Sequence, residues 1–143
     1  MSFVESLAPL LGRLVLAWYF LAQAYRYALD WNNTAILLAM RNMPVPPVLL
    51  AGIVAGILLG CLSLLLGFRA RIGAAVLLLI TLALTLTLHD FWHIRAAIAR
   101  NADYDIFARN VAIAGGLLLV MGMGAGPFAL DNMGGKRGRR RPR

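Results

Sequence analysis

The sequence predicts an all-α integral membrane protein, a four-helix bundle of up-down-up-down topology. Its composition is 61% hydrophobic and 14% charged, whereas soluble domains contain about 45–50% apolar and about 25% charged residues. The apolar residues are concentrated in four long blocks, which charged or proline-containing segments separate. Both observations indicate helices that cross a lipid bilayer rather than a soluble domain.

The four blocks cover residues 10–28, 48–68, 72–88 and 110–125. About 20 apolar residues in a helix span the roughly 30 Å hydrocarbon layer, because each residue rises about 1.5 Å. The first three blocks meet this length. The fourth is short and runs into Gly122, Gly124, Gly126 and Pro127, so we expect its end to be buried in protein.

The connections between the blocks differ in character. The first contains Met43-Pro44 and Pro46-Pro47, which cannot continue a helix, and its apolar middle, residues 35–40, predicts a short helix on the membrane surface. Residues 68–71 predict a tight hairpin between the second and third spans. Residues 89–109 mix charged and aromatic side chains and predict an interfacial polar segment.

The formal net charge is +8, a value that would ordinarily suggest nucleic acid as a partner. Six of the fourteen basic residues, however, lie in the last eight positions, and the rest of the chain has 8 Lys and Arg against 6 Asp and Glu. We therefore predict no nucleic-acid partner. Instead, we expect a membrane domain at residues 1–131 and a disordered basic tail at residues 132–143 that binds anionic lipid headgroups.

The basic residues also predict an orientation. With four spans, the N-terminus, the Arg69/Arg71 hairpin and the tail share one side, which carries nine Lys and Arg against five on the other side. The positive-inside rule then makes both termini cytoplasmic. The expected location is the bacterial inner (cytoplasmic) membrane, with a multi-pass topology.

Polar residues are expected to converge at the outer end of the bundle. Tyr19, Gln23 and Arg26 share a face of the first span with Asp30. The third span carries Thr81 and Thr85. Its outer end leads into His89, Asp90 and Trp92, and Asn110 opens the fourth span at the same level. Polar groups inside a membrane often mark function, but interfacial aromatic belts and an Arg26–Asp30 pair would account for the same residues structurally.

Three further features concern packing and chemistry. Gly52, Gly56 and Gly60 recur every four residues, which predicts a helix-packing face within the bundle or, alternatively, a homodimer face. His89 and His93 stand four apart, but two histidines alone do not predict a metal site. No phosphate loop, CxxC or Gly-x-Ser-x-Gly motif is present, and the single Cys61 lies in an apolar run, so no catalytic residue is predicted.

Several short motifs resemble the DoxX family of membrane proteins. The segments that carry the resemblance are Leu11-Gly12-Arg13-Leu14, Met43-Pro44, Gly67-Phe68-Arg69-Ala70-Arg71, His89-Asp90-Phe91-Trp92, Phe107-Ala108-Arg109-Asn110 and Gly126-Pro127-Phe128-Ala129. They follow one another in order from residue 11 to residue 131, since the last segment continues through Leu130-Asp131. The resemblance implies a four-helix membrane protein of bacteria or archaea that is associated with quinone-linked oxidoreductases.

On this resemblance, the chain would be a membrane subunit of a quinone-linked respiratory or redox complex, bound to larger subunits and acting at most as an accessory to catalysis. The polar cluster at the outer end would then hold a quinone headgroup or dock a partner, because it combines hydrogen-bond donors with an apolar wall. The alternative is a structural or assembly subunit that binds no ligand.

Overall fold

The computed structural model describes residues 3–88 and 94–130, and within these residues it contains helices and turns but no strand. The described residues form five helices, which are α1 (Phe3–Leu29), α2 (Trp31–Met40), α3 (Pro46–Leu66), α4 (Ala70–Leu88) and α5 (Ala97–Met123). The predicted all-α class is confirmed.

Four of the helices are long and apolar enough to cross a membrane. The candidate spans are Leu7–Leu29, Pro46–Leu66, Ala70–Leu88 and Ala97–Met123. Their outward faces are apolar, with Trp18 on α1 and Leu79 on α4 more than 70% exposed. Such faces suit contact with lipid, since the backbone polar groups of a helix are satisfied internally and only its side chains would meet the hydrocarbon.

The last span differs from its prediction. It was expected to begin at residue 110, yet α5 begins at Ala97 and contains Arg100, Asp103 and Arg109 within its first half. Much of the segment that was predicted to be an interfacial loop is therefore helical. The charged residues lowered the local hydropathy, but a helix tolerates them where they face a cavity or the membrane surface.

The short helix α2 covers the end of the bundle at which α1 finishes. Leu38 is buried against the bundle, whereas Met40 is exposed. Arg41, the residue after α2, donates a hydrogen bond from Nη2 to the backbone oxygen of Leu88 at 3.2 Å. This bond satisfies a carbonyl at the end of α4 that has no partner within its own helix.

The spans pack in the order α1, α3, α4 and α5, and α5 also touches α1. Small side chains occupy the contacts, including Ala17, Ala24, Cys61 and Ala74, and all four are buried. Close approach of the helices is the source of van der Waals stability in a bilayer, where burial against lipid gives no hydrophobic driving force.

At the hairpin end, the first turns of α1 meet the α3–α4 connection and the segment after α5. Arg13 is 1% exposed and donates from Nη2 to the backbone oxygen of Phe128 at 2.8 Å. Gly67 ends α3 with φ +64°, and a Cβ there would overlap the Arg13 guanidinium. The start of α1, the hairpin and the end of α5 therefore lie on one side of the bundle.

Candidate functional site

A polar cavity of about 430 Å³ lies at the opposite end of the bundle, among α1, α2, α4 and α5. We refer to it below as the polar cavity. Its hydrogen-bonding and charged lining residues are Tyr19, Gln23, Arg26, Tyr27, Asp30, Thr34, Thr81, Asp103, Arg109 and Asn110. The volume falls within the roughly 300–1,000 Å³ that is usual for small-molecule sites.

Helix α1 supplies four of these residues and leads directly into a fifth, Asp30, because they recur along one face. Tyr19, Gln23, Arg26, Tyr27 and Asp30 are separated by steps of four, three, one and three, so all of them lie on the same side of a 3.6-residue helix. The apolar part of the wall comes from Phe20 and Ile57, among others.

A chain of hydrogen bonds crosses the inner end of the polar cavity. The hydroxyl of Tyr19 donates to Oδ1 of Asn110 at 3.2 Å, and Nδ2 of Asn110 donates to Oγ1 of Thr85 at 2.9 Å. Thr85 is 2% exposed. The chain joins α1, α5 and α4, so it fixes the position of the Asn110 amide.

The charges at the polar cavity balance formally, with Arg26 and Arg109 set against Asp30 and Asp103. Oδ1 of Asp30 accepts a hydrogen bond from Nδ2 of Asn33 at 2.6 Å. Within residues 3–88 and 94–130, no hydrogen bond or ion pair engages the guanidinium groups of Arg26 and Arg109. Each of these arginines has five N–H donors that can bind an anionic group.

Six of the polar residues that were expected to converge line this cavity: Tyr19, Gln23, Arg26, Asp30, Thr81 and Asn110. His89, Asp90 and Trp92, which were expected to join them, lie outside the described residues, as does His93. Among the described residues, no group of three or more His, Cys, Asp or Glu is placed to hold a metal ion.

Sequence reasoning missed Asp103 and Arg109, because both were assigned to a loop. A helical signal was nevertheless present. Asp103, Ile106 and Asn110 follow steps of three and four, which is the spacing of one helix face.

The glycines of α3 are in unequal surroundings. A Cβ on Gly60 would lie 2.6 Å from Cγ of Leu77, and one on Gly56 would lie 2.8 Å from Cδ1 of Ile80, so both glycines lie against α4. A Cβ on Gly52 would have no atom within 4 Å. Whether this face also serves a dimer stays a prediction.

Comparison with known proteins identifies the family to which the chain is related. A model of the SURF4 family matches residues 35–137. The chain belongs to the SURF4 family. The match begins within α2 and includes α3 to α5, so it leaves out α1, the helix that supplies four of the ten polar lining residues.

The chain is also similar in sequence to the Surfeit locus protein 4 homolog of Schizosaccharomyces pombe (strain 972 / ATCC 24843). The two are 33% identical over 76 residues, which is 50% of this chain and 24% of that protein. The matched region thus spans about a quarter of the relative. No solved structure matches the chain.

These findings correct the DoxX assignment, which is wrong. The supporting motifs were short runs of glycine, proline, arginine and aromatic residues at helix ends. Residues of these types are favoured at the ends of membrane helices in general, since they break helices or lie at the interface. Such motifs therefore do not separate one family of membrane bundles from another.

The functional expectations that rested on DoxX are also wrong. The comparisons place the chain in the SURF4 family, and nothing in them links that family to a quinone-linked respiratory complex. The expected bacterial inner membrane location conflicts with a relative from a eukaryote.

Proposed function

We propose that this SURF4-family chain is a membrane-embedded binding protein whose polar cavity takes up a small ligand that carries both a positive and a negative group. The observation that carries the proposal is the polar cavity itself, in which ten polar or charged side chains from four helices and the α1–α2 junction converge within a bundle of apolar spans. Ionisable groups within membrane spans are costly, and they are usually retained where they bind something.

The charge pattern supports a zwitterionic ligand rather than a purely anionic or cationic one. Arg26 and Arg109 can each hold an anionic group, and Asp30 and Asp103 can attract a cation. A ligand with only one charge would engage only the arginines or only the carboxylates of a site whose reduced dielectric constant strengthens both kinds of interaction. A zwitterion satisfies both pairs.

The hydrogen-bonded chain at the inner end supports a preformed site. Asn110 is held by Tyr19 on one side and Thr85 on the other, so the inner end requires little reordering when a ligand arrives. Side chains that are already ordered lose less entropy on binding. Phe20, Leu84 and Ile106 line the same cavity and offer an apolar surface to the uncharged part of a ligand.

The lining residues also limit the chemistry. Within the described part of the chain, the residues around the polar cavity include no histidine, cysteine or serine. Charge pairing and hydrogen bonding are what these side chains offer, and both serve recognition. Binding, followed by release or presentation to another protein, is the role that this arrangement supports.

The test measures thermal unfolding of the full chain in detergent against a panel of small molecules. The panel contains free amino acids, a dipeptide, phosphocholine, acetate and tetramethylammonium. A ligand present at about 100 times its Kd raises the free energy of unfolding by about 2.7 kcal/mol. We expect at least one zwitterion to raise the unfolding temperature, and the singly charged compounds to have little effect.

Matched variants locate the binding. Arg26→Gln and Arg109→Gln each remove one cation from the polar cavity, and Arg100→Gln removes one from an exposed position that does not line it. Loss of one charge-assisted hydrogen bond weakens binding by about 1.5–3 kcal/mol, or roughly tenfold to a hundredfold in Kd. If Arg100→Gln weakened binding as much as the cavity variants, or if no zwitterion bound, the proposal would be wrong.

A further inference from the structure

The outer face of the bundle carries a second cavity, an open groove of about 320 Å³ between α3 and α4. We call it the α3–α4 groove. It is separate from the polar cavity and lies toward the hairpin end. The lining residues are Gly56, Leu59, Gly60, Leu62, Ser63, Leu66, Phe68, Arg69, Ile72, Gly73 and Val76.

Glycines line the floor of this groove, where α3 and α4 approach closely. A Cβ on Gly60 would lie 2.6 Å from Cγ of Leu77, and a Cβ on Gly73 would overlap the Ser63 side chain. Neither position can therefore carry a larger side chain without moving its neighbour. The walls are formed by exposed apolar side chains, among them Leu59 and Val76.

The inside of the groove offers no polar group that requires a ligand. Its one hydroxyl, on Ser63, is 2.8 Å from the backbone oxygen of Phe68 and 3.2 Å from that of Arg69, and it donates to these carbonyls of the hairpin. A polar ligand would lose its hydration there without compensation. A hydrocarbon chain would lose nothing.

The groove changes character at its hairpin end, where Arg69 is exposed beside Phe68. The guanidinium carbon of Arg69 lies 5.8 Å from the centroid of the Phe68 ring. A turn between two spans lies at the level of the lipid headgroups, and a guanidinium binds phosphate through two parallel N–H···O bonds.

The dimensions match a lipid chain. The groove follows α3 from Gly56 to Leu66, which corresponds to about 15 Å of helix. It runs along the spans, as the acyl chains of a bilayer do, and it ends at a cation where the acyl chains end at a phosphate.

We propose that the α3–α4 groove holds one acyl chain of an anionic phospholipid, whose phosphate binds Arg69. Any lipid tail can fill an apolar groove, because transfer of a tail from surrounding lipid brings no hydrophobic gain. Selectivity for an anionic phospholipid over a neutral one therefore depends on the charge of Arg69. The apolar helix of a second copy fits less well, since it offers no anionic group to the end of the groove at which Arg69 lies.

The test counts the phospholipids that remain bound to the full chain. The protein is reconstituted into vesicles of equal phosphatidylglycerol and phosphatidylcholine, extracted with mild detergent and measured by native mass spectrometry. Arg69→Gln is compared with Arg71→Gln, which removes a cation from the same hairpin. Arg71 is directed to the other side, where its Nη2 lies 3.5 Å from the backbone oxygen of Gly122.

We expect Arg69→Gln to reduce the retained phosphatidylglycerol about tenfold, the effect of losing one charge-assisted contact. Arg71→Gln should retain phosphatidylglycerol as the parent does, and phosphatidylcholine should be equal in all three proteins. Equal losses in both variants would indicate general attraction to positive charge, and no loss in either would remove Arg69 from lipid binding. Either result overturns the proposal.

A second pair of variants tests the groove itself. Val76→Trp fills it, whereas Leu79→Trp adds the same side chain to an exposed position of α4 that does not line it. Only Val76→Trp should reduce phosphatidylglycerol retention. Unchanged retention would overturn the proposal, and so would a parental dimer in detergent that Val76→Trp dissociates, because a second copy would then occupy the groove.

Discussion

At the scale of single residues, side chains on one helix face line the polar cavity, whereas Arg13 joins the two ends of the chain at the hairpin end through Phe128. Tyr19, Gln23 and Arg26 could be placed on one face in advance, because helical spacing depends on neighbouring residues alone. The partner of Arg13 could not be predicted, since the carbonyl of Phe128 is 115 positions away in the chain. Arg13 was named in the sequence only as part of the Leu11-Gly12-Arg13-Leu14 motif, yet it is buried at the hairpin end.

Gly67 gives a residue-scale prediction. Its φ of +64° is left-handed, and a Cβ would lie 2.6 Å from Cβ of Ala129 and overlap the Arg13 guanidinium. We expect Gly67→Ala to destabilise the protein by about 1–3 kcal/mol through backbone strain and overpacking. Thermal unfolding in detergent measures the effect.

The matched control for Gly67 is Gly52→Ala, because a Cβ on Gly52 meets no atom within 4 Å. Alanine in a helix interior is favoured over glycine by roughly 0.5–1 kcal/mol, so this variant should unfold at the parental temperature or slightly higher. Equal losses of stability in the two variants would contradict the packing described for the hairpin end.

At the scale of helices, continuous apolar runs in the sequence predicted the spans directly, whereas a segment of mixed polarity did not reveal that it is helical. Three spans were located within a few residues, because a helix that faces lipid requires a continuous apolar run. The first half of α5 was missed, since Arg100, Asp103 and Arg109 interrupt the apolar pattern. Whether such a segment is a loop or a helix depends on the cavity that it faces, and that cavity is formed by other helices.

The contact between α3 and α4 gives the prediction at this scale. Gly60→Leu would place a side chain where Leu77 already lies, so the two helices would have to separate, at a cost of about 1–3 kcal/mol. Gly52→Leu adds the same side chain to the same helix at an open position. Thermal unfolding in detergent should fall for Gly60→Leu alone, and a parental unfolding temperature for Gly60→Leu would show that α3 and α4 do not approach at this residue.

At the scale of the whole molecule, the alternation of helix direction places the two cavities at different levels. The polar cavity lies where α1 ends and α5 begins, and the α3–α4 groove extends to the hairpin at the other end. The up-down-up-down order could be predicted from the sequence, because four spans with short connections must alternate. Convergence of the polar residues followed from that order, but the cavity between them depends on how far α1 and α5 separate beyond the Tyr19–Asn110 hydrogen bond.

Cysteine labelling tests this alternation. In a Cys61→Ala background, we introduce Asn33→Cys in α2, Ile98→Cys at the start of α5 and Phe68→Cys in the hairpin, all at exposed positions. Native Cys61 is removed because it is the single cysteine of the chain, although it is buried. A membrane-impermeant maleimide is added to sealed vesicles that contain the protein in one orientation.

Positions 33 and 98 should both be labelled or both be protected, and position 68 should show the opposite result, since one span separates each of them from the hairpin. Labelling of position 98 together with position 68 would mean that α5 does not begin on the side of α2, and the polar cavity could not then form from α1, α2 and α5.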